Sequence, residues 1–341
     1  MANVVLECDM HVYDIKKCGL YIGRPDAPEH LGTKDLLKAL KFWAIDSNKP
    51  LVETSTYSAD GNYLEAYCLG LSEFKGNYLL ALWNKIPSSK SGVGMVNGSS
   101  SPKNAKVTQS KKGAADIPGY PTYFWILPGS NKLVALKLTN ESFGVTQARA
   151  YLTGYLQFFS PHALRKGGKI KGYTDKPIDK KSDEEQIVNN NLAARFTLAV
   201  TKIPGKYEEI IKNNQQVTKL VKEIDVYDDQ NDINARVSEQ VRGWFNNLKP
   251  ADKKKMRVHM PISVTKADIR DLIRKYEDSD QSNEHDIGFV FKGKSSHIEW
   301  LRGANHREKA KIKVEYLGEN QPNLDKLVKE LHKHTNLVIN G

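Results

Sequence analysis

The residues of this chain best suited to recognition chemistry are cations in three clusters: Lys103, Lys106, Lys111 and Lys112; Arg165, Lys166, Lys169 and Lys171; and Lys253, Lys254, Lys255 and Arg257. Side chains of one sign in polar stretches attract polyanions, and each cation–phosphate contact releases a condensed counterion. The chemistry predicted is retention of a nucleic-acid backbone, salt-sensitive and indifferent to base sequence. The third cluster also reads as a solvated turn between a helix and a strand.

Other spacings invite catalysis or ligand binding and fail on context. "GFVFKGKS" places Gly288, Gly293, Lys294 and Ser295 at P-loop spacing, but Phe289, Val290 and Phe291 look like a strand instead of a phosphate cradle. Gly92, Gly94 and Gly98 miss the dinucleotide-binding pattern by one residue. Asp225, Asp228, Asp229 and Asp232 could face a hard cation, yet an EF-hand register from Asp228 puts Ile233 where the turn needs glycine. His297, Asn305 and His306, and the pair His332 and His334, come nearest to a nuclease set, without a spacing that defines a metal geometry. No Ser-His-Asp or Cys-His arrangement stands out, so the sequence supplies no catalytic residue, metal ligand or cofactor site. Cys8, Cys18 and Cys68 are odd in number and lack CxxC spacing, the pattern of buried free thiols.

The 341 residues are 39% hydrophobic and 27% charged, the balance of a globular chain long enough for two domains. The net charge is +11. Residues 85–181 hold sixteen Lys/Arg against four acids, whereas the remainder holds thirty-five against thirty-six, so one segment supplies the whole excess. No run of eighteen apolar residues occurs, and the N-terminus lacks the zones of a signal peptide. A cytoplasmic protein without membrane insertion is the expectation.

The elements that must position these cations follow from periodicity. Val4, Leu6, Cys8, Met10 and Val12 alternate as one face of a first strand. Thr33 offers an N-cap to a helix with Leu36, Leu37, Leu40, Trp43 and Ala44 at helical spacing. Strands at 63–71 and 77–83 form a hairpin, and "TYFWILPGSNKLVALKL" predicts a second at 122–127 and 132–138. Both faces of 122–127 are apolar, so Tyr123, Phe124 and Trp125 read as core and not as base-stacking rings. Between the hairpins, 86–121 carries sixteen Gly, Pro or Ser in thirty-six residues and reads as a mobile basic loop. An amphipathic helix with Ala148, Leu152, Tyr155, Leu156 and Phe159 on one stripe follows. A polar segment then precedes alternating strands, at 195–203, 223–227, 256–264, 287–292 and 309–317, and helices, at 206–221, 233–248, 266–277 and 323–332. The fold class expected is α+β, with mixed or antiparallel sheets against helices in two domains, 1–181 and 182–341.

"GYPTYFWILPGSNKLVALKLTNESFGVTQARAYLTGYL" resembles the RexA-type phage-exclusion proteins of temperate bacteriophages in its order of features: Gly-Tyr-Pro, a hydrophobic hairpin, a Phe-Gly pair, then a helix. "ARFTLAVTKIPGKYEEIIKNNQQVTKLVKEIDV" is similar to that family's later strand, turn, helix and strand. The likeness spans roughly residues 75 to 230, with a long Ser/Gly/Lys insertion before Pro118 and an extended region beyond Asp228 as departures. It implies a dimeric DNA-binding protein without a known catalytic centre, built of a globular domain and a mobile second domain and acting in phage defence. With the charge distribution, the expectation is a non-enzymatic homodimer that holds double-stranded DNA without strong sequence preference, with a second defence-system protein as a candidate partner. The alternatives are a metal-dependent nuclease in the same setting and an adaptor whose basic face meets an acidic protein.

Overall fold

The structure, a computed structural model, describes residues 3–23, 27–58, 64–87, 94–108, 113–138, 142–166, 169–178, 187–202, 206–226, 254–278, 285–293, 298–301, 306–318 and 321–339. The chain forms two compact units: Met1–Thr201 together with Arg307–Gly341, and Lys202–His306.

The first unit begins with β1 (Asn3–Ile22), α1 (Thr33–Lys41), which runs on into a π-helical turn at Phe42–Asp46, and the hairpin β2 (Ala66–Phe74) and β3 (Asn77–Lys85). Next come β4 (Gly94–Asn97), β5 (Val107–Thr108), β6 (Asp116–Leu127) and β7 (Lys132–Lys137). α2 (Val145–Gly154) continues into a second π turn at Tyr155–Phe159, followed by β8 (Ala163–Lys166), β9 (Lys169–Tyr173) and β10 (Leu192–Val200).

The second unit holds α3 (Lys206–Lys212), β11 (Val217–Val226), β12 (Lys254–Pro261), α4 (Lys266–Asp278), β13 (His285–Phe291) and β14 (Ile298–Trp300). Its antiparallel sheet runs β12-β11-β13-β14. Tyr207 and Ile210 of α3 and Ile269, Ile273 and Tyr276 of α4 bury against Val217, Phe289 and Phe291. The chain then returns to the first unit as β15 (Arg307–Gly318), β16 (Gln321–Pro322), α5 (Leu324–His332) and α6 (Thr335–Ile339).

The large sheet of the first unit runs β16-β15-β1-β7-β6-β3-β2, with β10 also on β1 and β4 on β6, and every ladder is antiparallel. The alternation of strand side chains divides the apolar residues between two cores. Leu80, Phe124, Ile126 and Ala135 face Leu36 and Leu40 of α1, Leu152 of α2 and Leu156 of the π turn that continues α2. Met10, Trp83, Trp125 and Val134 face the other way, onto Leu327, Val328 and Leu331 of α5. This is why β6 reads as apolar on both faces: helices cover both sides of an antiparallel sheet. Gly119 permits a close contact, since a Cβ there would sit 2.3 Å from the Asn84 carbonyl oxygen and 2.7 Å from the Trp83 indole nitrogen. The Gly-Tyr-Pro lead-in to the hairpin therefore has a packing cause.

The α+β class stands, as do the first strand and the two hairpins. Other expectations are corrected. The described residues of 86–121 are not a loop throughout: β4 pairs with β6 and β5 with β4, because Val96, Val107 and Ile117 bury against Trp83. The helix expected over 206–221 ends at Lys212, since Val217 and Val221 bury in the strand that follows. Gly32, not Thr33, occupies the N-cap of α1. The compact units do not divide at 181/182, because β10 and β15 both pair with β1. The helix expected at 233–248 lies outside the described residues.

Candidate nucleic-acid interface

β8 and β9 form a hairpin that carries Arg165, Lys166, Lys169 and Lys171, all exposed. The ladder sets Arg165 opposite Ile170 and Lys166 opposite Lys169. Two ammonium groups directly across an antiparallel pair repel, which costs a hairpin stability unless an anion sits between them. None of the four makes an ion pair with a carboxylate among the described residues. The segment had read as an unstructured polar tract. Its overlooked signal is Gly167-Gly168 between the alternating stretches "ALRK" and "KIKGY", the pattern of a short hairpin.

The base of the hairpin is tied by His162 and Thr174. The Thr174 N–H donates to the His162 carbonyl at 2.9 Å, and the His162 ring Nδ1 lies 2.7 Å from the Thr174 carbonyl oxygen, which it meets as a donor. Burial holds the His162 pKa below its ordinary value, and the nearby His30 ring acts in the same direction. His30 stacks on His162 with centroids 4.8 Å apart and lies 3.7 Å from Asp175, which in turn accepts from Asn189.

Arg165 lies 4.8 Å from the centroid of Phe159, the last residue of the second π turn. Phe159 in turn packs on Trp43 of the first π turn, centroids 4.9 Å apart, and Trp43 also meets Tyr155. Lys49 lies 4.0 Å from the Trp43 centroid. Asp46, which closes the Trp43 turn, holds Lys103 at 3.4 Å. Two of the predicted tracts, sixty residues apart in sequence, therefore meet at the same pair of aromatic turns. Sequence reasoning had assigned Trp43 and Phe159 to core stripes; both pack against the core but remain partly exposed. No periodicity reports that cations cover their outer faces.

The remaining predicted cations are placed as follows. Lys106 is exposed; Lys111, Lys112 and Lys253 lie outside the described residues. Lys254 and Lys255 open β12 opposite Val226 and Asp225. Arg257 is not a freely solvated patch: its Nε donates to Glu223 Oε2 at 2.8 Å, and its guanidinium lies 5.3 Å from the Trp300 centroid. The side chain of Glu223 is 8% exposed, so a large share of the charge on Arg257 is answered within its own unit. Tyr123, Phe124 and Trp125 are core residues, 2%, 0% and 0% exposed, so no base can reach them.

The tempting motifs dissolve in the same way. Gly288 to Phe291 are strand β13, and a Cβ on Gly288 would meet Ile298 at 2.3 Å, which explains the glycine by packing. Asp225 belongs to β11, while Asp228, Asp229, Asp232, His297 and Asn305 lie outside the described residues. His306 is buried, and His332 meets the Asn77 amide at 3.1 Å and the edge of Phe74. Among the described residues no group of three His, Cys, Asp or Glu side chains is arranged to hold a metal ion. Nor is any helix among them long and apolar enough to cross a membrane.

No family model, curated protein or solved structure matches the chain.

Proposed function

We propose that this protein binds nucleic acid through the phosphate backbone, with the β8–β9 hairpin as the principal contact. The observation that carries the reading is the cross-strand placement of Lys166 opposite Lys169, flanked by exposed Arg165 and Lys171. A polyanion lying across the hairpin turns a repulsive pair into two favourable contacts, whereas water only screens it. Lys106 and the ion-paired Lys103 extend the basic surface from the β4–β5 region; an exposed pair such as Lys103–Asp46 is worth little and yields readily to a phosphate. The binding needs no catalytic group, and no base edge is read.

The setting is phage exclusion, on the strength of the RexA-type resemblance over residues 75 to 230, which also supports a DNA-binding homodimer; duplex DNA as the ligand and a second defence protein as a partner are part of the same proposal. The cytoplasm fits such a role.

The test is a salt series on unrelated duplexes. Four phosphate contacts give a slope of log affinity against log salt of about −3.6 on duplex DNA. Neutralising Arg165, Lys166, Lys169 and Lys171 together should abolish most of that slope. A quadruple variant that is folded and binds as tightly as wild type would remove the basis for the reading. Cleavage of the labelled DNA that stops on adding EDTA would instead favour the nuclease alternative.

A further inference from the structure

We propose that the Trp43–Phe159 pair is a stacking platform for unpaired nucleobases, so that the strand held by the hairpin is single-stranded where it crosses the two π turns. The inference rests on the backbone-binding reading and adds an unpaired stretch to the duplex proposed there as ligand.

Three observations converge. The two rings contact each other at 4.9 Å between centroids and are only partly buried, each at the outer side of the core formed by α1, α2 and β10. Phe158, beside Phe159, adds a further ring that is 37% exposed. A cation lies over each ring, Lys49 at 4.0 Å from the Trp43 centroid and Arg165 at 4.8 Å from that of Phe159.

Arg165 is decisive. Arg165 is an exposed residue whose guanidinium carbon lies 4.8 Å from the Phe159 centroid, a placement that suits a base stacking on a cation that itself rests on a ring. It also begins the run of cations, Arg165, Lys166 and Lys169, that would hold the adjoining phosphates. Bases and backbone of a single strand are thereby addressed by neighbouring residues of one chain segment. A duplex keeps its base faces stacked inside and presents only phosphates and groove edges, so it can use the hairpin but not the rings.

The experiment compares three probes in low salt: a thymidine 20-mer, an abasic 20-mer with the same phosphates, and a 20-base-pair duplex. Stacking of one or two bases predicts that the thymidine strand binds the wild-type protein at least about fivefold more tightly than the abasic strand. Phe159→Leu, which keeps an apolar side chain in the core, and Arg165→Lys, which keeps the charge at an exposed position, should each reduce that ratio toward one; a melting curve establishes that each variant is folded. Equal affinity of wild-type protein for the thymidine and abasic strands overturns the platform and leaves the backbone reading standing. So does a ratio that neither variant changes. Failure to retain any of the three probes overturns the backbone reading, and the platform falls with it.

Discussion

Thr201 and Arg307 face consecutive residues of β1. Thr201 donates its backbone N–H to the Val12 carbonyl at 2.9 Å, and Arg307 pairs with His11. β10 and β15 run in the same direction along one edge of β1, from Leu192 opposite Ile22 to Glu315 opposite Asn3. They are two halves of a single rail, interrupted by the unit Lys202–His306. Closely spaced ends are what allow one domain to be inserted into another without disturbing the host.

Joining Thr201 directly to Arg307 should therefore leave the first unit folded. The expected product has a strand-rich circular dichroism spectrum and one cooperative thermal transition. Loss of that transition would show that the inserted unit is required for the sheet.

Replacing Lys166 alone with alanine removes one member of the like-charged rung. Stability should stay level or rise by a few tenths of a kcal/mol, up to about 1, because a cross-strand repulsion is relieved. The salt slope of duplex binding should become shallower by about 0.9. The opposite pairing of effects, lower stability with unchanged slope, would assign Lys166 a packing role.

Asp14 gives a pH prediction. Partial burial raises its pKa, but donation from Lys132 at 2.7 Å, Lys16 at 2.9 Å and the Thr201 hydroxyl at 2.8 Å outweighs burial and brings it down to about 2. The depressed value means stability that is present above the unfolded value near 3.8 and is lost as pH falls from there toward 2. Asp14→Asn should cost about 1 kcal/mol at pH 7, less than the shift alone would give because solvent screens a partly exposed carboxylate, and flatten the acid limb of a stability profile measured by urea unfolding.

The three cysteines should be inert in the native protein. Burial pushes the Cys8, Cys18 and Cys68 thiols up to about 12, so almost no thiolate exists at pH 8. A thiol reagent should label none of them until denaturant is added, and then all three; rapid native labelling of one would place it in an opening segment.

Gly119→Ala should cost about 1–3 kcal/mol in a thermal or denaturant melt, since its Cβ would enter contact with backbone that cannot retreat. The change leaves every proposed ligand contact in place, so binding by the folded fraction should persist.

Much of the fold follows from periods of two and 3.6, which are local. Val4 to Val12, the hairpin at β6 and β7 and the stripe from Ala148 to Leu156 were legible because their apolar spacing is the same before and after folding. The segment 217–221 was misread because Val217 and Val221, four residues apart, suit either a helix or a strand, and the choice rests on β12 and β13, distant in sequence. The basic cluster was legible as charge, and its hairpin was not, because two short stretches around Gly167-Gly168 leave only a faint mark beside the longer apolar periods of the other elements.

The sequence by itself determined the location of the positive excess, the buried thiols and the two-sided apolar character of the central strands, since these depend on residue type alone. Only the tertiary structure decided that Lys166 opposes Lys169, that Arg257 is held by Glu223, and that Arg165 and Lys103 reach the turns of Phe159 and Trp43. Those relations join residues of separate elements or of facing strands, and they come into being when apolar burial brings the strands and helices together.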